Sequence, residues 1–317
     1  MKKIAFLGDP HAKLNNLNEI SSLIDFIISL KKEGKVTDLC ILGDLFDTHS
    51  VVRLETWDFW KKQLEKLSKS FSKDELAIIS GNHDQPGSKE RENISAISTL
   101  DSSLAHLVTS DPLVWNGMGL IPFTSSEDEF IQKANTTFSL GAKKYLVCHQ
   151  TFNGAMYDNG MYAPDGYDHT KIPQEHIISG HIHTSMRFDK VFYTGTARWD
   201  SASDANKEKG IYVLSGAVWD FFDTSGVVPA MFRIEVKEGD EIPELKDGAK
   251  YSIHLIGTSK WVTKTKPLFK NAKIKTTYTD SLLKRSKEKV DNFNDFLSKA
   301  SVSVKKDDIL LLLAKLQ

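Results

Sequence analysis

Over the first 80 residues, short apolar runs alternate with amphipathic stretches. Positions 4–8 form a run that stops at Asp9. Positions 39–42 and 76–79 form two more, followed by Gly43-Asp44 and by Gly81-Asn82-His83-Asp84. Within 16–33, Leu17, Ile20, Leu23, Ile24 and Ile27 recur at helical spacing; within 54–70, Trp57, Trp60, Leu64 and Leu67 do the same. Runs of four or five apolar residues suit buried strands, and a recurrence every three to four residues suits helices that bury one face. This β-α-β-α-β rhythm predicts a parallel sheet covered by helices. Further buried strands are expected at 144–148 and 176–179. From 191 to 236 the runs become short and alternating (VFYTG, GIYVLSG, AVWDFFD, AMFRIEV), which predicts a second, antiparallel sheet.

A boundary is expected near residue 240, at KEGDEIPELKDG. The chain of 317 residues then divides into a main α/β domain over 1–240, a small lysine-rich β unit over 241–279 and a helical tail over 280–317. The tail carries two helix candidates, 280–300 and 305–316, capped by Thr279 or Asp280 and by Asp307 or Asp308. No internal repeat is visible. The longest aliphatic run, 309–313, is far short of a membrane span. The apolar stretch at the start ends at Leu7, too early for a signal peptide. Cys40 and Cys148 both sit in apolar runs, as reduced core residues of a cytoplasmic protein would.

The formal net charge of −1 conceals an asymmetry. Residues 241–317 hold sixteen Lys and Arg against nine Asp and Glu, leaving 25 against 33 in the rest. An acidic front offers carboxylates for metal, and a basic back offers lysines for polyanions.

The front carboxylates fall where strands end. The five buried strands lead into Asp9-Pro10-His11, Gly43-Asp44-Leu45-Phe46-Asp47, Gly81-Asn82-His83-Asp84, His149 and Gly180-His181-Ile182-His183. Sites in open α/β sheets form outside the carboxyl ends of strands. This nitrogen-rich mixture suits Mn²⁺, Fe²⁺ or Zn²⁺ better than calcium. Asp9, His11, Asp44, Asn82, His149, His181 and His183 make seven ligand-type residues, too many for one tetrahedral ion and about right for two ions sharing a carboxylate. Any one piece alone reads as an ordinary turn or a hydrogen-bonded histidine. Their order and their places at strand ends make the set a candidate dinuclear site.

D-x-H, GD-x-x-D, GNHD, a lone His and G-H-x-H together resemble the calcineurin-like metallophosphoesterase superfamily, over residues 4 to about 200. Within it, GDLFDT followed by GNHD is similar to the SbcD-type nuclease subunits of DNA repair and recombination complexes. One position departs: the usual Gly after D-x-H is Ala12. The resemblance implies a two-sheet αββα sandwich with a small C-terminal β capping unit and a helical tail. It implies two divalent ions, Mn²⁺ in the nuclease reading. One would take Asp9, His11, Asp44 and His183; the other Asp44, Asn82, His149 and His181. A hydroxide held between the ions would attack phosphate in line. His83 resembles the family's general acid, and Asp47 either supports His83 or ligates metal. The implied activity is DNA exonuclease or endonuclease, with DNA and an SbcC-type coiled-coil ATPase as partners. A homodimer through early helices is a further implication.

Weaker signals surround this set. His49 reads as rim or solvent rather than ligand, and His106, His169, His176 and His254 as structural. Asp84 would cap the turn after Asn82 or orient His83. Arg198 either contacts phosphate or base, or is a surface Arg beside a half-buried Trp199. The tyrosines of loop 153–170 either stack on bases or pack the loop. Residues 250–279 hold seven lysines and no acid. Lys264, Lys266, Lys273 and Lys275 among them suit either a solvated edge or a DNA-backbone surface. The tail either docks on the body or grips a coiled-coil partner. Two other functions fit the same motifs: a stand-alone phosphoesterase for small phosphodiesters or nucleotides, and a DNA-end scaffold with vestigial hydrolysis.

Overall fold

Side chains on a strand point alternately to its two faces, so an all-apolar run must be covered on both. The computed structural model, which describes residues 1–49, 51–87, 94–157 and 160–280, shows this covering. Its first elements are β1 (Lys3–Leu7), α1 (Leu17–Lys32), β2 (Asp38–Ile41), α2 (Leu54–Leu67), β3 (Leu76–Ile79) and β4 (His106–Val108). Next come β5 (Leu113–Trp115), β6 (Met118–Leu120), α3 (Glu127–Ser139), β7 (Tyr145–His149), β8 (His176–Gly180), β9 (Met186–Phe188) and β10 (Val191–Tyr193). The chain continues through β11 (Gly210–Ser215), β12 (Val218–Asp223), β13 (Met231–Lys237), β14 (Lys250–Gly257), α4 (Ser259–Thr265) and β15 (Ala272–Tyr278).

Two six-stranded sheets result, in the orders β12-β11-β1-β2-β3-β4 and β5-β6-β7-β8-β10-β9. In each, four adjacent strands are parallel; antiparallel pairs lie on one side of them in the first sheet and at both edges of the second. Strand parity sorts the core into three layers. Ile4, Phe6, Cys40, Ala77 and Ile79 of the first sheet pack with Leu120, Tyr145, Val147 and Ile178 of the second. Their neighbours Ala5, Leu7, Ile41 and Ile78 face Ile20, Ile24 and Ile27 of α1 and Trp60 and Leu64 of α2. Leu146, Cys148 and Ile177 meet Phe130 and Ala134 of α3. This is the expected two-sheet α/β sandwich with helices outside.

Two expectations are corrected. The five strands with polar ends do not share one sheet: β1, β2 and β3 belong to the first and β7 and β8 to the second. The runs over 191–236 do not form a sheet of their own. β10 lies parallel to β8, β11 extends the first sheet antiparallel to β1 with β12 antiparallel to β11, and β13 joins a third sheet. Alternation marks a strand but carries no information about its partner, which is chosen by shape and non-local packing.

Residues 84–143 held signals that the hydrophobic reading passed over. Asn116-Gly117 joins β5 and β6 with both residues at positive φ, 53° and 76°, as a two-residue hairpin of this twist requires. Ser126 caps α3 by accepting the Glu129 N–H, and three acids follow it in the first turn.

The chain separates into two compact units, Met1–Phe232 with Lys246–Lys250, and Arg233–Leu245 with the chain from Tyr251 onward. The second carries the sheet β13-β14-β15, in which β14 and β15 run parallel with α4 between them in sequence. Lys264, Lys266, Lys273 and Lys275 are all exposed, whereas Phe269 is buried. The expected tail helices and their proposed partner contact fall on 281–317, outside the described residues.

Candidate metal centre

Each strand end delivers a side chain by turning sharply. Asp9, His11, Asp44 and His181 all have left-handed backbones, with φ of 44°, 45°, 51° and 79°. Such conformations cost non-glycine residues about 1–3 kcal/mol each and persist where the surroundings impose them. Here the turns interlock. The His11 N–H donates to the Asp44 carbonyl at 2.8 Å, and the Ala12 N–H to that of Leu45 at 2.9 Å. The His181 N–H donates to Asp9 Oδ1, and the His83 N–H to Asp44 Oδ1, both at 2.8 Å. Backbone N–H groups thus aim two carboxylates from beneath.

Glycines make the room. A Cβ on Gly43, at φ 97°, would stand 2.7 Å from His149 Nδ1. One on Gly81 would stand 2.1 Å from Asp44 Oδ1 and 2.5 Å from the Asp44 nitrogen. Gly81→Ala should therefore push Asp44 out of place. We expect a loss of about 1–3 kcal/mol in metal-free stability, as for other overpacked interiors, together with weakened metal binding. Thermal melting and metal titration check both.

Six of the seven sequence-expected ligands supply donors to three close clusters: Asp9 with His11 and His183, Asp44 with His149 and His181, and His11 with Asp44 and His83. The seventh, Asn82, places Oδ1 3.0 Å from His149 Nε2 and 2.9 Å from His181 Nδ1. His11 Nε2 and His183 Nε2 lie 3.1 Å apart. Asp44 Oδ2 stands between the groups, 3.5 Å from His11 Nε2 and 3.3 Å from His149 Nε2.

The donor set fits divalent cations. Asp9 is fully buried, and its Oδ2 has no hydrogen-bond partner. An unpartnered buried carboxylate oxygen among imidazole nitrogens is costly until a cation completes it. His149 Nδ1 donates to the Leu42 carbonyl at 2.7 Å, leaving Nε2 toward the cluster.

Electrostatics divide the histidines: two are neutral, and one keeps a proton that a cation must displace. Burial pushes His11 and His181 down to about 3, so both present lone pairs at neutral pH. Burial also opposes charge on His149, but Asp44 and Asp9 prevail and raise it to about 9. Burial would lift Asp44, yet His149 and His11 hold its carboxyl well below the usual range. Burial, with the charge of Asp44, raises Asp84 to about 8. Asp84 accepts from the Gly81 and Phe46 N–H groups at 2.9 and 3.1 Å, so it caps the turn rather than orienting the His83 ring.

His83 Nδ1 donates to the Asp47 carbonyl at 2.7 Å, which leaves Nε2 to carry or release a proton. Asp47 supports His83 through its backbone. Its carboxylate instead pairs with Lys13 at 3.0 Å and lies 3.7 Å from His11 Nδ1. His49, read from sequence as rim, stacks on His83 at 4.0 Å and bonds the Asn82 carbonyl at 2.8 Å. Its signal was its place two residues after Asp47 on the same loop.

Arg198 is corrected. It is 3% exposed, and its guanidinium donates to the Pro10 and His11 carbonyls and pairs with Asp200. It holds the first ligand loop and is closed to solvent, so it is not the surface Arg that one sequence reading gave. Of the loop tyrosines, Tyr167 donates to the Thr124 carbonyl, while Tyr162 is exposed.

Comparison with known proteins gives the family. The chain is 29% identical over 227 residues to "Putative phosphoesterase 244L" of Invertebrate iridescent virus 6, covering 67% of this chain and 75% of that protein. It is 24% identical over 210 residues to "Putative phosphoesterase 078R" of Invertebrate iridescent virus 3, covering 61% of this chain and 57% of that one. The crystal structure of TT1561 of Thermus thermophilus superposes with a TM-score of 0.44 at 12% identity, over 70% of this chain and 98% of that one. Among the described residues no helix is long and apolar enough to cross a membrane. The model of the calcineurin-like phosphoesterases matches residues 2–185, more than half of the chain, and the ligand clusters lie within that span; the chain belongs to this family of metal-dependent phosphoesterases.

Proposed function

We propose that the chain is a two-metal phosphodiesterase acting on DNA, a nuclease subunit of the SbcD type. The observation that carries the two-metal reading is Asp44 Oδ2, set between His11 and His149 at 3.5 and 3.3 Å. Asp9, His11 and His183 would hold one ion and Asn82, His149 and His181 the other, with Asp44 shared. The ions, Mn²⁺ in this reading, supply Lewis-acid charge and an acidified water. The chain's own residues do the rest. Backbone N–H groups fix the carboxylates, and Phe123 lies over His181 with ring centroids 6.3 Å apart. His83 Nε2 gives a proton to the departing oxygen.

DNA as substrate is supported by the GDLFDT and GNHD motifs and by the exposed lysines of the second unit. The tail, in this reading, serves a coiled-coil ATPase partner. The test is Mn²⁺-dependent turnover of single-stranded DNA, double-stranded DNA and bis-p-nitrophenyl phosphate, with and without a coexpressed ATPase of that type. Turnover of the small ester alone would replace the nuclease reading by that of a stand-alone phosphodiesterase.

Charge reversal of Lys264, Lys266, Lys273 and Lys275 to Glu should weaken duplex binding and leave small-ester turnover unchanged. Each phosphate contact releases condensed counterions, with a salt slope of about 0.9 per contact. Losing the contacts lowers affinity and slope together. Unchanged affinity and slope would make these lysines a solvated edge.

A further inference from the structure

Two buried cations lie in the segment between β10 and β11, beyond the residues that the family model matches. Arg198 Nε and Nη2 donate to the Pro10 carbonyl at 3.2 and 3.1 Å, and Nη2 also reaches the His11 carbonyl at 3.4 Å. Lys209 is 2% exposed, and its Nζ donates to the His183 carbonyl at 2.8 Å, to Thr196 Oγ1 at 2.8 Å and to Asp204 Oδ1 at 2.5 Å. A buried ammonium is tolerated when each of its three N–H groups finds an acceptor, as here. Both cations spend a hydrogen bond on the main-chain carbonyl of a ligand residue. Both of those residues, His11 and His183, belong to the same cluster.

The other cluster is oriented by different means. His149 is held by the Leu42 carbonyl, and the Asn82 turn by Asp84. We propose that Arg198 and Lys209 are positioning residues for one metal subsite, the one formed by Asp9, His11 and His183. The inference rests on the two-metal reading above. Its physical basis is that His11 stands on a left-handed turn and His183 on a loop outside the strands, so neither backbone is set by a sheet ladder. Arg198 pins the peptide plane that enters His11 through the Pro10 carbonyl, while Asn16 Nδ2 takes the His11 carbonyl at 2.8 Å; Lys209 pins the His183 carbonyl together with the Thr196 N–H, and each plane sets the direction of its imidazole. A carbonyl accepts a stronger bond from a cation than from a neutral donor.

The test is titration of the metal-free full chain with Mn²⁺, by calorimetry and by electron paramagnetic resonance, with the metal-free melting temperature recorded alongside. Arg198→Gln removes one clamp. Lys209→Gln with Asp204→Asn removes the other without leaving a lone buried charge. Arg198→Lys keeps the charge but loses the fork that reaches Pro10 and Asp200 together. The wild type should bind two ions. Each variant should bind one of them about 10- to 100-fold more weakly, the usual effect of losing a residue that orients a ligand. The second ion should change by less than about twofold. Adding His183→Ala should cost that weakened ion less than it does in the wild type, because the clamp and the ligand act on one subsite. Unchanged binding of both ions overturns the proposal. Equal weakening of both, in step with a lowered melting temperature, also overturns it and leaves the cations a role in folding alone. A wild type that binds a single ion would instead overturn the two-metal reading.

Discussion

Replacing Asp44 should abolish turnover and empty both metal positions. Its Oδ2 is the carboxylate oxygen close to ligand nitrogens of both clusters, and the residue is 2% exposed. Every other ligand assigned here serves one ion, so its loss leaves the second ion a complete set. Asp44→Ala also removes the acceptor of the His83 N–H, which blurs a purely metal effect. Asp44→Asn is the cleaner variant. It keeps an oxygen for that N–H and puts an uncharged amide where the shared carboxylate stood. Elemental analysis should fall from two equivalents of Mn²⁺ to less than one in either variant. Two full equivalents retained would sink the bridging role of Asp44, whatever happened to activity.

Replacing His83 should separate proton transfer from metal binding. The contact from His83 to Asp44 is made by the main chain and survives His83→Ala. Both metals should therefore stay. What is lost is an imidazole whose Nδ1 is committed to the Asp47 carbonyl and whose face rests on His49. Only Nε2 can then exchange a proton at the site. Turnover of DNA should fall about 100- to 10,000-fold, the usual contribution of a positioned acid or base. The fall should be much smaller for a p-nitrophenyl ester, whose leaving group departs without a proton. An equal fall on both substrates would point to phosphate stabilisation rather than acid catalysis.

Much of this centre is legible before any fold is known. Asp9, His11, Asp44, Asn82, His149, His181 and His183 can be named because each follows a run too apolar to be anything but a buried strand or helix. A buried strand must release its chain at an end, and polar residues gather there. The lysines of 250–279 are equally plain, since charge is a property of composition. The αββα arrangement comes from the motif resemblance, and the strand parity then accounts for its three core layers.

Tertiary structure decided what depends on partners distant in the chain. The sequence alone determined which residues could bind metal and which runs are strands, because burial and periodicity are local patterns. It did not determine that β7 and β8 sit in a different sheet from β1, β2 and β3, because pairing is chosen by packing across the molecule. Nor did it determine the duties of Arg198, Lys209 and His49. Arg198 reads in sequence as a phosphate or base contact or as a surface Arg; its carbonyl partners lie 187 and 188 residues earlier. His49 reads as solvent; the ring it stacks on arrives from another strand end. A side chain's chemistry is written in its residue type. The groups that make that chemistry a clamp, a ligand or an acid are brought to it only when the chain closes.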